Sequence, residues 1–123
     1  MSVRGSRALA LVAAGAVAIA AAPALAGPPS AASRRTVQVG DNFFAPKRMT
    51  VRAGTRVTWR WTDDTADIHD VKLTSGPRGV RRFHSAPAAA GFVYSRTLKR
   101  PGTYRILCTF HVEDMRMTIR VRR

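Results

Sequence analysis

The stretch that decides the fold is residues 101–115, which read PGTYRILCTFHVEDM. It opens with a Pro-Gly pair, a combination typical of turns, and the next six residues have the length of a β-strand. In that segment Tyr104, Ile106 and Cys108 occupy alternate positions and therefore share one face of the strand. The pattern predicts a half-buried strand over residues 103–108, whose core-facing row ends at the thiol of Cys108.

The chain on either side of this segment shows the same pattern of short strands. Apolar residues alternate with polar ones, and Gly, Pro, Asp and Asn separate the runs. The strand-like runs centre on Val37 and Val39, Met49 and Val51, Val57 to Trp61, Phe92 to Leu98, Thr103 to Cys108, and Met115 to Val121. Seven to eight strands at this spacing predict an all-β Greek-key two-sheet β-sandwich. Residues 65–90 are loop-rich and leave room for a helical turn.

One residue of the 101–115 segment predicts how the chain crosses between the two sheets. Tyr104 follows Leu98-x-x-Pro101-Gly102 in a spacing that resembles a tyrosine corner. In that motif the phenol hydroxyl bonds a backbone group a few residues upstream and holds the crossover.

The N-terminus predicts export. Arg4 and Arg7 precede an uncharged run from Ala8 to Ala22, and a small-x-small ending closes at Ala26. This is the pattern of a secretory signal peptide. The run of about 15 residues is shorter than the roughly 20 that a membrane-spanning helix needs. We therefore favour cleavage near Ala26 over retention as an N-terminal membrane anchor.

The expected organisation is a signal peptide over residues 1–26, a linker over 27–35 and one domain over 36–123. Cleavage would leave a secreted or periplasmic protein of the cell envelope. Loss of the two early arginines lowers the formal net charge from +14 to +12.

A charge of this size indicates anionic partners or an anionic surface. Export argues against nucleic acid, so we expect an acidic redox protein or an anionic envelope surface. The alternative is a charged surface that serves solubility, since 18 of the 21 cations are arginine. We expect a monomer.

The single cysteine indicates a metal site. An exported chain with one cysteine has no internal disulfide, and a free thiol in an oxidising compartment is open to oxidation. A metal ion explains it, because the thiolate then serves as a ligand. A small buried core cysteine is the alternative, but His111, three residues later, favours the metal.

The candidate ligands are His69, Cys108, His111 and Met115. A thiolate, two imidazoles and a weak thioether form the ligand set of a mononuclear blue copper centre. Taken singly, His69 could be a surface histidine beside Asp70, and Met115 could be a core methionine. His84 lies among basic residues and is interpreted as a loop residue rather than a ligand.

Residues 37–121 resemble the plastocyanin-type cupredoxins, which are small blue copper proteins. The matching pieces are Phe44-x-Pro46, Val51-x-x-Gly54-x-x-Val57-Thr58-Trp59, His69-x-Val71, Phe83-x-Ser85 and Pro101-Gly102-Thr103-Tyr104-x-x-x-Cys108-Thr109-x-His111. The resemblance implies a copper-binding one-electron carrier with His69, Cys108 and His111 as equatorial ligands and Met115 as the axial ligand. It also implies that His111 reaches the surface through an apolar patch and serves as the electron port.

The chain departs from these relatives in two places. Relatives often have Pro after the second histidine, whereas three residues, Val-Glu-Asp, separate His111 from Met115. Met117 is the rival axial ligand because it shares strand parity with Met115, and we prefer Met115. Relatives usually carry Asn where this chain has Asp70, and an ionised carboxylate there can only accept hydrogen bonds, for example from Thr109 or its backbone.

Three classes of function compete at this point. The leading hypothesis is a one-electron carrier without catalytic chemistry of its own. The second is copper delivery, buffering or tolerance, which is typical of open sites richer in Met or His than this one. The third, an adhesive β-sandwich without metal, leaves Cys108 and His111 unexplained. Multicopper oxidase or reductase chemistry needs a second histidine-rich centre, which a chain with three histidines cannot build alone.

Overall fold

The computed structural model describes residues 1, 5, 8–23 and 32–123. Within them lie eight strands: β1 (Arg34–Gly40), β2 (Phe43–Ala45), β3 (Arg48–Arg52), β4 (Thr55–Trp61), β5 (Lys72–Ser75), β6 (Val93–Leu98), β7 (Gly102–Leu107) and β8 (Arg116–Arg122). The predicted cleavage point after Ala26 and most of the predicted linker lie outside these residues. In the described ranges, no helix has the length and apolar character needed to cross a membrane.

The strands form two four-stranded sheets. The first sheet has the order β2-β1-β4-β6, and the second has the order β3-β8-β7-β5. Both are mixed, because β1 pairs with β4 in parallel and β3 pairs with β8 in parallel, whereas the other pairs are antiparallel. The prediction of an all-β sandwich with seven to eight strands is confirmed.

Two boundaries differ from the sequence pattern. Strand β1 begins at Arg34 rather than at Thr36, because Arg34 already pairs with Arg56 of β4. The stretch 65–90 contains no helical turn. It contains β5 and two isolated bridges, His69 with Ala88 and Lys72 with His84. Pairing of the edge strand β5 with β7 therefore organises a region whose local sequence shows little periodicity.

The core lies between the two sheets and follows from the alternation along each strand. In β4, residues Val57, Trp59 and Trp61 are fully buried while Arg56 and Arg60 are exposed. Trp59 packs against the rings of Phe83 and Tyr94, with centroids 6.0 Å away in both cases. Burial of such aromatic rings supplies much of the hydrophobic stabilisation of a small domain.

The predicted tyrosine corner is present. The Tyr104 hydroxyl donates to the carbonyl oxygen of Arg100 at 2.7 Å. Gly102 at the start of β7 has φ of +139°, and a Cβ at this position would lie 2.5 Å from Cγ of Pro77. Only glycine fits this close approach. The corner fixes the entry of β7 into the second sheet and so sets where Cys108 emerges.

Candidate metal centre

The loop from Cys108 to Met115 is closed by hydrogen bonds between its own ends. The Cys108 N–H donates to the Met115 carbonyl at 3.0 Å, and the Met115 N–H donates to the His111 carbonyl at 2.9 Å. The His111 N–H donates back to the Cys108 carbonyl at 3.3 Å. This turn brings three of the four predicted ligands to one end of the sandwich, between β7 and β8.

His69 reaches the same end from the connection between β4 and β5. Its backbone N–H and carbonyl both bond Ala88, each at 3.0 Å. The side chain is fully buried. The bridge to Ala88 therefore holds the imidazole against the Cys108 loop, although 39 residues separate His69 from Cys108 in the sequence.

The three donor atoms form a compact triangle. Nδ1 of His69 lies 3.2 Å from Nδ1 of His111. Sγ of Cys108 lies 3.9 Å from the first nitrogen and 3.8 Å from the second. Metal bonds of about 2.0 Å to imidazole nitrogen and about 2.3 Å to thiolate sulfur leave such donors roughly 3 to 4 Å apart. The donor set and its spacing fit one first-row metal ion.

Asp41 sets the tautomer of His69. One carboxylate oxygen of Asp41 lies 2.9 Å from Nε2 of His69. Because an ionised carboxylate only accepts hydrogen bonds, Nε2 carries the hydrogen and Nδ1 presents its lone pair to the donor triangle. This is the carboxylate–histidine arrangement that orients imidazole ligands in metal sites.

Asp41 is itself held in place by backbone groups. It accepts from the N–H of Ala66 at 3.1 Å and from that of Asp67 at 3.0 Å. The hydrogen bond with His69 and these two N–H groups lower the pKa of Asp41 to about 2. Sequence reasoning missed its role, because Gly40-Asp41-Asn42 indicates only a turn and nothing local links Asp41 to His69.

Asp70 links the ligand loops as an acceptor. It accepts from the Thr109 N–H at 2.7 Å and from the Thr109 hydroxyl at 2.6 Å. The prediction that this carboxylate accepts from Thr109 and its backbone is confirmed. Nε2 of His84 also lies 2.6 Å from Asp70, a contact that the sequence did not reveal. Burial opposes ionisation, yet the bonds with His84 and Thr109 outweigh it and lower the pKa of Asp70.

Replacing Asp70 by Asn is expected to raise the reduction potential of the copper-loaded protein by about 60 mV, which is a tenfold change in a one-electron equilibrium. The carboxylate adjoins His69 and bonds the residue after Cys108, so its negative charge favours the more highly charged Cu(II) state. Voltammetry on Asp70→Asn measures the shift. Asp63→Asn, which removes an exposed carboxylate seven residues earlier in the chain, is the control. An unchanged or lower potential in Asp70→Asn would contradict the prediction.

The two candidate axial methionines have different surroundings. Sδ of Met117 accepts a hydrogen bond from Nε1 of Trp59 at 3.3 Å, inside the sandwich core. Met115 lies before β8, is fully buried, and is bonded through its backbone to Cys108 and His111. The Met117 thioether therefore has a partner in the core, whereas Met115 belongs to the ligand loop.

Burial governs the chemistry of the thiol. Cys108 has no accessible surface, and this burial raises the pKa of its thiol, which N–H groups of Asp70 and Phe110 offset only in part. A metal ion reverses this preference, since a coordinating thiol is deprotonated. The site therefore favours a bound ion over a free thiolate.

Exposed apolar side chains lie next to two of the ligands at this end of the sandwich. His111 is partly exposed, and its neighbours Phe110 and Val112 are 52% and 42% exposed. Ile68, beside His69, is 51% exposed. Large exposed side chains of this kind mark a contact surface when they cluster in neighbouring loops.

Comparison with known proteins agrees with this geometry. Residues 31–122 match the family of copper binding proteins described as the plastocyanin/azurin family. Amicyanin-alpha of Methylorubrum extorquens is 36% identical over 76 residues, which are 61% of this chain and 61% of that protein. The matched region is thus less than two thirds of the relative's length.

Solved structures show the same architecture. A reduced point variant of amicyanin superposes with a TM-score of 0.63 and 27% identity, covering 74% of this chain and 82% of the other. A copper-containing nitrite reductase of Thermus scotoductus superposes with a TM-score of 0.61 and 28% identity, covering 72% of this chain but only 22% of the enzyme.

The family match spans most of the chain, and the donor triangle lies in the part that it covers. The histidine and thiolate donors suit copper, the metal that the family binds. This chain belongs to the plastocyanin/azurin family of copper binding proteins, and its cofactor is copper.

Proposed function

We propose that this protein is an exported, monomeric one-electron carrier with a single blue copper centre. The equatorial ligands are His69, Cys108 and His111, and the axial ligand is Met115. The donor triangle with sides of 3.2, 3.8 and 3.9 Å is the observation that carries this proposal. Its two nitrogens and one sulfur are the equatorial donors of blue copper sites, in which the bound ion alternates between Cu(II) and Cu(I).

The protein's own contribution is to hold these donors still. Asp41 orients His69 and the Ala88 bridge anchors its backbone. Asp70 ties the His69 segment to Thr109, directly after Cys108. Because hydrogen bonds hold the ligands in place, they rearrange little when the charge of the site changes, and this favours rapid electron transfer.

His111 is the proposed electron port. It is the partly exposed member of the donor triangle, and Phe110 and Val112 surround it with apolar surface. Apolar contacts around the His111 ring exclude water from the interface with a docked redox partner and bring that partner close to the metal site. The expected acidic redox donor or acceptor stays a prediction, and so does the predicted envelope location.

Copper delivery, buffering or tolerance is the second candidate. It requires a site that opens to hand its ion to another protein. His69 and Cys108 are fully buried here, and the chain has only four methionines. These features favour the carrier. We propose no enzymatic role for this chain, because its three histidines do not suffice for a second, histidine-rich copper centre.

Copper loading tests the proposal. Metal-free protein titrated with Cu(II) is expected to bind one equivalent and to develop an intense visible thiolate-to-copper absorption. One electron equivalent per protein should bleach this absorption reversibly. Zinc fits the same tetrahedral donors, so recombinant protein is stripped of metal first. Tight Cu(I) binding without the visible band would contradict the carrier and favour copper handling.

A further inference from the structure

The acidic residues of this protein lie at one end of the sandwich, and its basic residues are concentrated on one side. All seven carboxylate residues lie in loops at the copper end of the sandwich: Asp41, Asp63, Asp64, Asp67, Asp70, Glu113 and Asp114. None of them belongs to a strand. The negative charge of the side chains is therefore concentrated at the copper end.

The outward-facing side of the second sheet is covered with cations. Core residues such as Ile106 and Ile119 alternate with exposed basic residues along β3, β7 and β8. We call this surface the arginine face, and its cations are Arg48, Arg52, Arg105, Arg116, Arg120, Arg122 and Lys72. The outward side of the first sheet has only three, namely Arg34, Arg56 and Arg60.

Threonines alternate with these arginines across the strands. Thr118 of β8 lies between Arg48 of β3 and Arg105 of β7, and Arg120 lies between Thr50 and Thr103. A shallow depression is lined by Met49 together with three arginines and two threonines: Arg48, Arg105, Arg120, Thr50 and Thr118. Guanidinium and hydroxyl groups together are donors suited to phosphate oxygens.

No carboxylate neutralises this face within the molecule. In residues 32–123, which contain every acidic side chain of the protein, the basic side chains in direct contact with a carboxylate are His69, with Asp41, and His84, with Asp70, and neither is an arginine. Seven unneutralised cations on one sheet repel each other. An external anionic surface would relieve that repulsion.

The shape of the face favours a lipid surface over a linear polymer. Four strands spaced by about 4.8 Å, the longest of them seven residues, give a face of about 15 by 20 Å. Arg48 and Arg105 pair with Thr118, two residues before Arg120, and so lie diagonally to Arg120 on the two neighbouring strands. The cations are therefore spread in two dimensions. A linear polyanion would meet one row of them at a time, whereas a membrane surface meets them together.

From these observations we propose that the arginine face docks the protein on membranes containing anionic phospholipid, with headgroup phosphates between the arginines and threonines. This inference makes the envelope association expected for the proposed electron carrier more specific, and it rests on the proposed export of the protein. The carboxylates at the copper end are repelled by the same membrane. The docked protein therefore lies on its side with His111 free to meet a redox partner.

Matched charge variants test the face. Copper-loaded full-length protein is sedimented with vesicles of phosphatidylglycerol and phosphatidylcholine in equal amounts. Neutral phosphatidylcholine vesicles report the contribution of the N-terminal segment, which all variants share. The triple variant Arg48→Gln, Arg105→Gln, Arg120→Gln is expected to bind about 100-fold more weakly, since each cation near an anionic surface contributes about fivefold.

The control variant Arg34→Gln, Arg56→Gln, Arg60→Gln loses the same charge from the opposite sheet and should weaken binding less than about fivefold. Equal losses in the two variants would overturn the proposal. The variant Arg48→Lys, Arg105→Lys, Arg120→Lys keeps the charge and should retain binding to within about fivefold. A loss as large as that of the triple Gln variant would also overturn the proposal. Stronger competition by linear polyphosphate than by vesicles at equal phosphate concentration would assign the face to a polymer instead.

The visible copper spectrum distinguishes failure of the membrane-docking proposal from failure of the electron-carrier proposal. It is expected to be unchanged in all three variants, because the substituted residues lie on strands outside the ligand loops. Loss of vesicle binding with an intact spectrum supports the docking face. An intact spectrum without any vesicle binding by the parent protein would overturn the docking face and leave the electron carrier standing.

Discussion

Cys108→Ser is expected to abolish the intense visible absorption of the copper-loaded protein. Sγ of Cys108 lies 3.8 to 3.9 Å from both ring nitrogens and is the thiolate of the donor triangle. The absorption of a blue copper site arises from this sulfur, and a serine hydroxyl is a harder and far less basic donor. We also expect Cu(I) affinity to fall at least tenfold, since soft thiolate ligands select Cu(I).

The fold is expected to survive this change. Cys108 lies in a loop whose ends are joined through backbone bonds of Cys108 and Met115, and serine keeps these groups. Far-ultraviolet circular dichroism and thermal unfolding of metal-free protein provide the control. Retention of the visible band in a folded Cys108→Ser protein would remove the blue copper assignment, because the chain has no second cysteine.

Met115→Leu and Met117→Leu are expected to have opposite signatures, although only one residue separates the two positions. Met115→Leu removes the proposed axial thioether, and loss of this donor weakens the stabilisation of Cu(II). We expect the reduction potential to rise by at least 60 mV, which is a tenfold change in the one-electron equilibrium. Stability of the metal-free protein should change by less than about 1.5 kcal/mol, as in other volume-conserving core replacements.

Met117→Leu should instead leave the potential within about 20 mV, a factor of about two. It removes the acceptor for the buried Trp59 Nε1–H, which lies 3.3 Å from the Met117 sulfur. Leaving such a donor unpaired costs about 1 to 3 kcal/mol. Voltammetry measures the reduction potential of both variants, and denaturant unfolding measures their stability. A potential shift in Met117→Leu with none in Met115→Leu would reverse the axial assignment.

The local sequence predicted those parts of the site that lie close together in the chain. Cys108, His111 and Met115 share one turn, so their spacing alone indicates convergence. The tyrosine corner was predictable for the same reason, because Tyr104 bonds Arg100 only four residues away. The position of His69 was predictable only through the family pattern, since its placement depends on the bridge to Ala88.

The residues whose roles the sequence did not reveal make contacts with residues far away in the chain. Asp41 bonds an imidazole 28 residues away, and His84 bonds Asp70 across 14 residues. Neither has a local signature, because a turn aspartate and a loop histidine are common in any surface segment. Choosing between Met115 and Met117 also needed the fold, since strand parity puts both on the same face, whereas the contact with Trp59 places the Met117 sulfur in the core.

The sequence by itself determined the strand pattern, the single thiol and the family, because alternation and ligand spacing are properties of neighbouring residues. Tertiary structure alone decided which carboxylate orients His69, which methionine is engaged in the core, and how the charges are distributed. A net charge of +14 says nothing about location. Sheet pairing brings arginines from three separate strands onto one face and leaves every carboxylate in a loop at the copper end, since register and strand order are set by contacts between distant segments.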